Sequence, residues 1–349
     1  MEPELKRISC LVIGDPHFKV DNIRQTDIMV TEIEKIVKER RPTFIVCLGD
    51  VLHQHKNIHV TPLENATKFL HMLSEHSPTF LLIGNHDRPN NSNFLTTEHP
   101  FNSFKHWTTD MTVVDRVVVK EIQGFKFVFV PFVPPGMFSS ALETVPNCLD
   151  KANAIFAHQE FSGVNMGRNK ISEVGNSWPK GHPLVITGHI HEPSVLQDNV
   201  IYVGSPYQLN FGDGEDKYVN IFTFVSDNTW ERESIDLGVP RKRDVLLGVE
   251  DVQSYIPPEN VDLRIKIFGT GPQLRAIGKL DKILEWQNKG IKIVYSDTSN
   301  KKITPSPRDG ARGFSCRLYK DLCSEGKEEL RILFEELFDK PQLMESEGD

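Results

Sequence analysis

The chain has 349 residues, of which 38% are hydrophobic and 25% charged, and a formal net charge of −8. That length can bury a large core and suggests two domains, while the negative charge argues against strong stand-alone attraction to a nucleic-acid backbone without excluding a local basic track. No apolar run approaches the roughly 18–20 residues of a membrane span, and the opening Met1-Glu2-Pro3-Glu4 has no basic stretch followed by an apolar one, so neither a membrane partner nor secretion is expected. Five cysteines (Cys10, Cys47, Cys148, Cys316 and Cys323) form no Cys-x-x-Cys pair, which fits a reducing intracellular compartment, cytoplasm or nucleus, with a viral or phage origin compatible with the short chain.

Residues 7–14, 43–49 and 79–84 are apolar runs that end in Gly-Asp, Gly-Asp and Gly-Asn-His-Asp. Such runs read as buried strands with polar residues at their C-terminal ends. Between them, Ile23, Val30, Ile33 and Val37 fit one helix face, and Ala66, Phe69, Leu70 and Leu73 fit another, with Pro62 near its start. Strand, helix, strand, helix, strand makes a parallel α/β core, which binds ligands outside the carboxyl ends of its strands. Strands are expected at 111–119, 125–131, 153–157, 184–188, 200–204 and 218–224, forming a second sheet with a helix over 138–151 outside it. The Gly/Asn/Ser-rich stretch 162–183 reads as a long functional loop. From residue 241 the pattern changes. A strand at 261–268, a helix with Ile277, Leu280, Ile283 and Leu284 on its apolar face, and a strand at 291–295 make a small α/β domain over 241–298. A polar linker follows at 299–313, then a helical pair over 314–340 and an acidic tail at 341–349.

Five blocks carry the chemistry: Gly14-Asp15-Pro16-His17, Gly49-Asp50-Val51-Leu52-His53, Gly84-Asn85-His86-Asp87, Ala157-His158-Gln159 and Gly188-His189-Ile190-His191. One such block alone means little; five in order at strand ends point to two adjacent divalent ions sharing a carboxylate. Such ions stand roughly 3.5–4 Å apart and clamp both oxygens of a phosphoryl displacement. Carboxylate oxygens with imidazole nitrogens suit Mn²⁺, Fe²⁺ or Zn²⁺ better than Ca²⁺ or Mg²⁺ alone, and the absence of cysteine disfavours a structural zinc site. In an extended backbone Asp15 and His17 point the same way, as do His189 and His191, although a loop could place the latter two on different ions. Asp50 stands alone, as a bridging carboxylate should. Asn85 offers a neutral oxygen, leaving His86 as a general acid or transition-state stabiliser with Asp87 able to hold its ring. Of the 13 histidines, His55, His59, His71, His76, His99, His106 and His182 read as surface or core residues.

Over about residues 7–225 these blocks resemble the calcineurin-like metallophosphoesterase superfamily. Gly-Asp-Val-Leu-His and Gly-Asn-His-Asp differ from the Ser/Thr protein phosphatase patterns. The run Tyr202-Val-Gly-Ser-Pro-Tyr-Gln-Leu-Asn-Phe-Gly-Asp213 resembles DNA-repair nucleases of the SbcD type and their phage and eukaryotic meiotic-recombination relatives. The resemblance implies a four-layer α/β/β/α sandwich over 1–240, a small α/β capping domain, and a C-terminal helical pair docking the coiled coil of an SMC-like ATPase of the SbcC type. It implies one ion, most simply Mn²⁺, on Asp15, His17, Asp50 and His191, and a second on Asp50, Asn85, His158 and His189. It further implies a bridging hydroxide that attacks a DNA phosphodiester, His86 at the leaving oxygen, His53 orienting the substrate, and a homodimer acting in double-strand-break repair. A small-molecule phosphodiesterase or phosphatase of the same superfamily, or a non-catalytic DNA-end tether, are the competing readings.

Overall fold

The computed structural model describes residues 5–55, 57–106, 110–167, 170–226 and 229–299. The expected helical pair at 314–340, most of the linker and the acidic tail lie outside the described residues. The chain divides into two compact units, one of 1–243 with 258–262 and the other of 244–257 with 263–349. Among the described residues no helix is long and apolar enough to cross a membrane.

In the first unit the elements run β1 (Arg7–Ile13), α1 (Ile23–Arg40), β2 (Phe44–Cys47), α2 (Val60–His76), β3 (Thr79–Leu82), β4 (Met111–Val114), β5 (Val118–Ile122) and β6 (Phe125–Val130). They continue through α3 (Phe138–Glu143), β7 (Ala152–Ala157), β8 (Leu184–Thr187), β9 (Ser194–Gln197), β10 (Val200–Tyr202), β11 (Val219–Val225) and β12 (Trp230–Ile235). One sheet has the order β12-β11-β1-β2-β3-β4 and the other β5-β6-β7-β8-β10-β9. β1 to β4 are parallel, as are β6 to β8.

The strands of the first sheet are apolar on both faces because both faces are covered. Cys10, Val12, Phe44, Val46, Phe80 and Leu82 turn inward, onto Phe127, Phe129, Phe156 and Ile186 of the second sheet. Phe80 stacks on Phe129 with ring centroids 4.0 Å apart. The alternate residues Leu11, Ile13, Ile45, Cys47, Leu81 and Ile83 face outward to α1 and α2, through Met29, Ile33, Phe69, Leu70 and Leu73. The outer face of the second sheet packs Val128, Ile155, Val185 and Tyr202 against Phe138 of α3 and against Phe161 and Trp178. The unit is therefore a four-layer α/β/β/α sandwich. The stretch 162–183 is not featureless: it brings Val164 and Trp178 into that third cluster, and the Trp178 indole N–H donates to the Pro183 carbonyl at 3.0 Å.

The second unit carries most of a three-stranded sheet, β13 (Arg241–Gly248), β14 (Val261–Gly269) and β15 (Lys292–Asp297), in the order β13-β14-β15. Helices α4 (Gly271–Ile277) and α5 (Asp281–Asn288) lie between β14 and β15 in the chain. Leu247, Val252, Leu263, Ile265, Ile267, Leu274, Ile283 and Trp286 are its buried hydrophobic residues among those described.

Several boundaries differ from the sequence expectation. The expected strand 111–119 is two strands in opposite sheets, turned at Asp115-Arg116. The expected helix 138–151 stops at Glu143, three residues before Pro146, whose missing N–H cannot continue a helix. The single helix expected across Ile277–Leu284 is two, with Leu280 as the cap between them and Leu284 48% exposed. β9, β12 and β13 were not expected, because their charged and polar residues hide the strand period.

Asp115 shows how the turn between the sheets is held. Its buried carboxylate accepts from Lys105 and lies 3.4 Å from His99 Nε2 and 3.5 Å from Arg116 Nε. Burial opposes ionisation, but His99 and Lys105 outweigh it and hold the carboxyl well below the usual range. A depressed pKa stabilises the fold above the unfolded value, near pH 4, and the contribution is lost as pH falls through the folded value. Asp115→Asn should cost about 2 kcal/mol at neutral pH, discounted for the partial exposure of Lys105 and the exposure of Arg116. Denaturation of both proteins across the acid range should show the gap closing below pH ~4; a gap that widens in acid would contradict the assignment.

Candidate metal centre

All five motif blocks fall where parallel strands end. Asp15 and His17 follow β1, Asp50 and His53 follow β2, and Asn85, His86 and Asp87 follow β3. From the other sheet, His158 follows β7, and His189 and His191 follow β8. The two sheets thus bring their carboxyl ends to one edge of the sandwich. The segments after β1 and β2 stay side by side, because His17 N–H donates to the Asp50 carbonyl at 3.0 Å and Phe18 N–H to Val51 at 2.7 Å.

His17 (φ 46°), Asp50 (φ 49°) and His189 (φ 77°) all have left-handed backbones, a strain of order 1–3 kcal/mol each that clusters at functional sites. The extended geometry expected around Asp15 and His17 is therefore not what aims them; β1 has ended at Ile13 and a turn does the work. Two glycines are required by close approach. A Cβ on Gly84 would lie 2.3 Å from Asp50 Oδ1, and one on Gly188 would lie 2.4 Å from Asp15 Oδ1.

The side chains form two groups, each with its ligating atoms mutually within 4.8 Å: Asp15, His17 and His191, and Asp50, His158 and His189. Asp50 Oδ2 lies 3.6 Å from His17 Nε2 and 3.4 Å from His158 Nε2, so it stands between the groups. Asn85 Oδ1 is 3.0 Å from His158 Nε2 and 2.9 Å from His189 Nδ1. His189 and His191 divide between the two groups, the loop alternative of the sequence reading.

The donor set fits cations. The Leu48 carbonyl accepts from His158 Nδ1 at 2.9 Å, so a neutral His158 presents a lone pair at Nε2. That lone pair faces two oxygens, from Asn85 and Asp50. Burial alone would lower the imidazole's pKa, yet the Asp50 and Asp15 carboxylates push it up to about 9. His17 Nε2 and His191 Nε2 face each other at 3.0 Å. Asp15 is fully buried, its Oδ1 has no hydrogen-bond partner among the described residues, and burial pushes its carboxyl up to about 7. Converging lone pairs and an orphaned carboxylate oxygen are what a pair of divalent cations would satisfy.

His86 sits at the rim. Its backbone N–H donates to Asp50 Oδ1 at 2.7 Å, and its ring Nδ1 lies 2.7 Å from the His53 carbonyl, which it can only approach as a donor. One ring nitrogen from each of His17, His53 and His86 lies within 4.8 Å of the others. The His86 ring is also stacked on His55, centroids 4.4 Å apart, a neighbour that the sequence reading left among surface or core histidines. His99 is buried against Asp115.

Asp87 requires a correction. It does not hold the His86 ring; the His53 carbonyl does. Asp87 instead accepts from the backbone N–H groups of Val51 (3.2 Å), Leu52 (2.9 Å) and Gly84 (3.1 Å), tying the second block to the third. Glu160, Lys217 and Asn22 were missed because nothing local marks them. Glu160 Oε2 lies 3.8 Å from His189 Nε2 and accepts from Ser172, so it orients His189 from behind in the manner of carboxylate–histidine–metal sites. The buried Lys217 ammonium donates to the His191 carbonyl at 2.6 Å. The Tyr207 hydroxyl donates to the Pro16 carbonyl at 2.6 Å, while Asn22 donates to both Tyr207 and the His17 carbonyl. Ser205 N–H donates to the His191 carbonyl, so the Gly-Ser-Pro-Tyr segment braces the first and last blocks.

Asp87→Ala should therefore act on the scaffold. Three buried amides lose their acceptor, at about 1 kcal/mol or more each, and metal affinity should fall roughly 10–100-fold. Denaturation and metal titration of the variant check this. A rate loss with unchanged stability and metal binding would instead restore Asp87 as a partner of His86.

Residues 8–193 match the family described as calcineurin-like phosphoesterase. The chain is 40% identical over 247 residues to “Putative phosphoesterase 078R” of Invertebrate iridescent virus 3, covering 70% of each chain. It is 37% identical over 267 residues to “Putative phosphoesterase 244L” of Invertebrate iridescent virus 6, covering 75% of this chain and 93% of that one. Among solved structures, the purple acid phosphatase PPD1 from yellow lupin seeds is similar at a TM-score of 0.45 with 11% identity, over 66% of this chain and 52% of that one. With a family match over more than half its length and two relatives above a third identical, the chain belongs to the calcineurin-like phosphoesterases.

Proposed function

We propose that the protein is a two-metal DNA phosphodiesterase, a nuclease of the double-strand-break repair type. The observation that carries the polymer substrate is the surface beside the metal centre. Three cavities of ≈ 420, ≈ 380 and ≈ 560 Å³ adjoin one another there, sharing Leu52, His53, Gln54, His55 and Asn57 among their walls, and His86 lines the second. A small-molecule phosphatase would favour a single enclosed pocket; a run of adjoining cavities past His53 and His86 suits an extended chain.

Asp15, His17, Asp50 and His191 would hold one cation and Asp50, Asn85, His158 and His189 the other, Mn²⁺ being the first choice with Fe²⁺ or Zn²⁺ as alternatives. Such ions supply Lewis acidity toward phosphoryl oxygens and a nucleophile at neutral pH. The chain's own part is positioning and proton transfer. With Nδ1 committed to the His53 carbonyl, His86 has Nε2 for the leaving oxygen, as donor when the ring is protonated. His53, whose ring nitrogen lies 3.3 Å from that of His17, would hold a phosphodiester oxygen. Asp87, Glu160 and Lys217 fix the loops that carry these groups.

The apolar stripes Phe314, Leu318, Leu322 and Leu330, Leu333, Phe334, Leu337, Phe338 suit docking to the coiled coil of an SMC-like ATPase, with the catalytic subunit as a homodimer.

His86→Ala should keep its metals and lose roughly 10²–10⁴ in rate, the usual worth of a general acid. Loss of metal in that variant would make His86 a ligand instead. With Mn²⁺, the purified protein should degrade duplex DNA ends far better than small phosphodiesters. The reverse preference would favour the small-molecule enzyme.

A further inference from the structure

The ≈ 420 Å³ cavity beside His53 has a composition that phosphodiester chemistry does not require. Its floor is Phe18 and Leu52, and its walls include Val20, Ile58, Gln54 and Asn57. Phe18 and Leu52 are buried and pair as an isolated parallel bridge, so the floor is rigid and continuous with the block that carries His17. Val20 is 50% exposed and Ile58 44% exposed. Two branched apolar side chains in the wall of this concavity are thus partly open to solvent. The carboxamides of Gln54 and Asn57 add donors and acceptors beside those apolar faces. Lys19, Asp21 and His59 line the same cavity.

A concavity that sets apolar side chains beside two carboxamides and charged groups of both signs can take a planar heterocycle attached to a phosphate. The volume is within the range of small-ligand pockets. The phosphate end would be on the His53 side, since His53 belongs both to the cavity wall and to the rim of the metal centre.

Resting on the nuclease reading, we propose that this cavity is a nucleobase subsite: it holds the base of the nucleotide next to the scissile phosphodiester against Val20 and Ile58, with Gln54 and Asn57 available to its polar edge. Contact with the π-face and with amides able to serve as either donor or acceptor makes the subsite tolerant of base identity. A base can reach it only when unstacked from its neighbours, so frayed or single-stranded ends should be preferred to fully paired ones.

The test compares three phosphodiesters with the same leaving group on the Mn²⁺-loaded full-length protein: methyl p-nitrophenyl phosphate, thymidine 5′-p-nitrophenyl phosphate and thymidine 3′-p-nitrophenyl phosphate. One thymidine ester should exceed the methyl ester in kcat/KM by about 10-fold or more, the scale of a base-stacking contact. In Ile58→Asp and Val20→Asp, both surface changes, that advantage should vanish through KM while turnover of the methyl ester stays unchanged. Equal kcat/KM for all three esters, or an advantage that survives both substitutions, overturns the subsite. If no ester is cleaved, calorimetry with thymidine 5′-monophosphate against methyl phosphate decides the cavity; the nuclease reading fails only if duplex and single-stranded DNA are left uncleaved as well. Tighter binding of the nucleotide, lost in Ile58→Asp, supports the subsite; equal binding of the two refutes it.

Discussion

Two fully buried carboxylates govern this molecule. Asp15 and Asp50 are 0% and 1% exposed, and the ionic neighbours shown for them among the described residues are histidines: His17, His158 and His191. Burying a carboxylate without a firm counter-charge is costly, and here two are buried within reach of the same imidazoles. The rest of the edge is arranged around that cost. Glycine stands at 84 and 188 because a Cβ there would strike one of the carboxylates. The backbone takes left-handed turns at His17, Asp50 and His189 to aim their side chains. Imidazole nitrogens and the Asn85 oxygen converge from both sheets. Cations are the one class of partner that meets all of these demands together.

The site is also supported from behind. Asp87 gathers three amides from two strand ends, Glu160 meets the far nitrogen of His189, and Lys217 and Ser205 hold the His191 carbonyl. These residues make strained turns tolerable: each loop is fixed by bonds to a different loop, and the two-sheet core below cannot yield. A site on such a frame keeps its ligands aimed with little reorganisation, which is how electrostatic catalysis is made efficient.

What could be read from the sequence follows from the range of each interaction. Buried parallel strands write themselves as unbroken apolar runs, so β1, β2 and β3 were legible, and with them the chemistry at their ends. The exposed edges were not: β12 reads Trp-Glu-Arg-Glu-Ser-Ile and β13 begins Arg-Lys-Arg-Asp, strands held by pairing rather than by burial. The run through 111–119 gave no sign that its halves enter different sheets, since both halves are apolar and only Asp115 and Arg116 mark the turn. Asp87 was misassigned because adjacency to His86 suggested a partnership, whereas its actual partners include amides 35 and 36 residues away. Glu160, Lys217 and the His55–His86 stack are likewise contacts between distant segments, with no local pattern to announce them.

The central claim is that Asp50 joins two cations in one centre. Elemental analysis of the fully loaded protein, alongside Asp50→Ala, tests it most directly. The account predicts two divalent ions per chain in the parent protein and the loss of both, together with phosphodiesterase activity, in the variant. One ion per fully loaded chain, or an Asp50→Ala protein that keeps two, would contradict it.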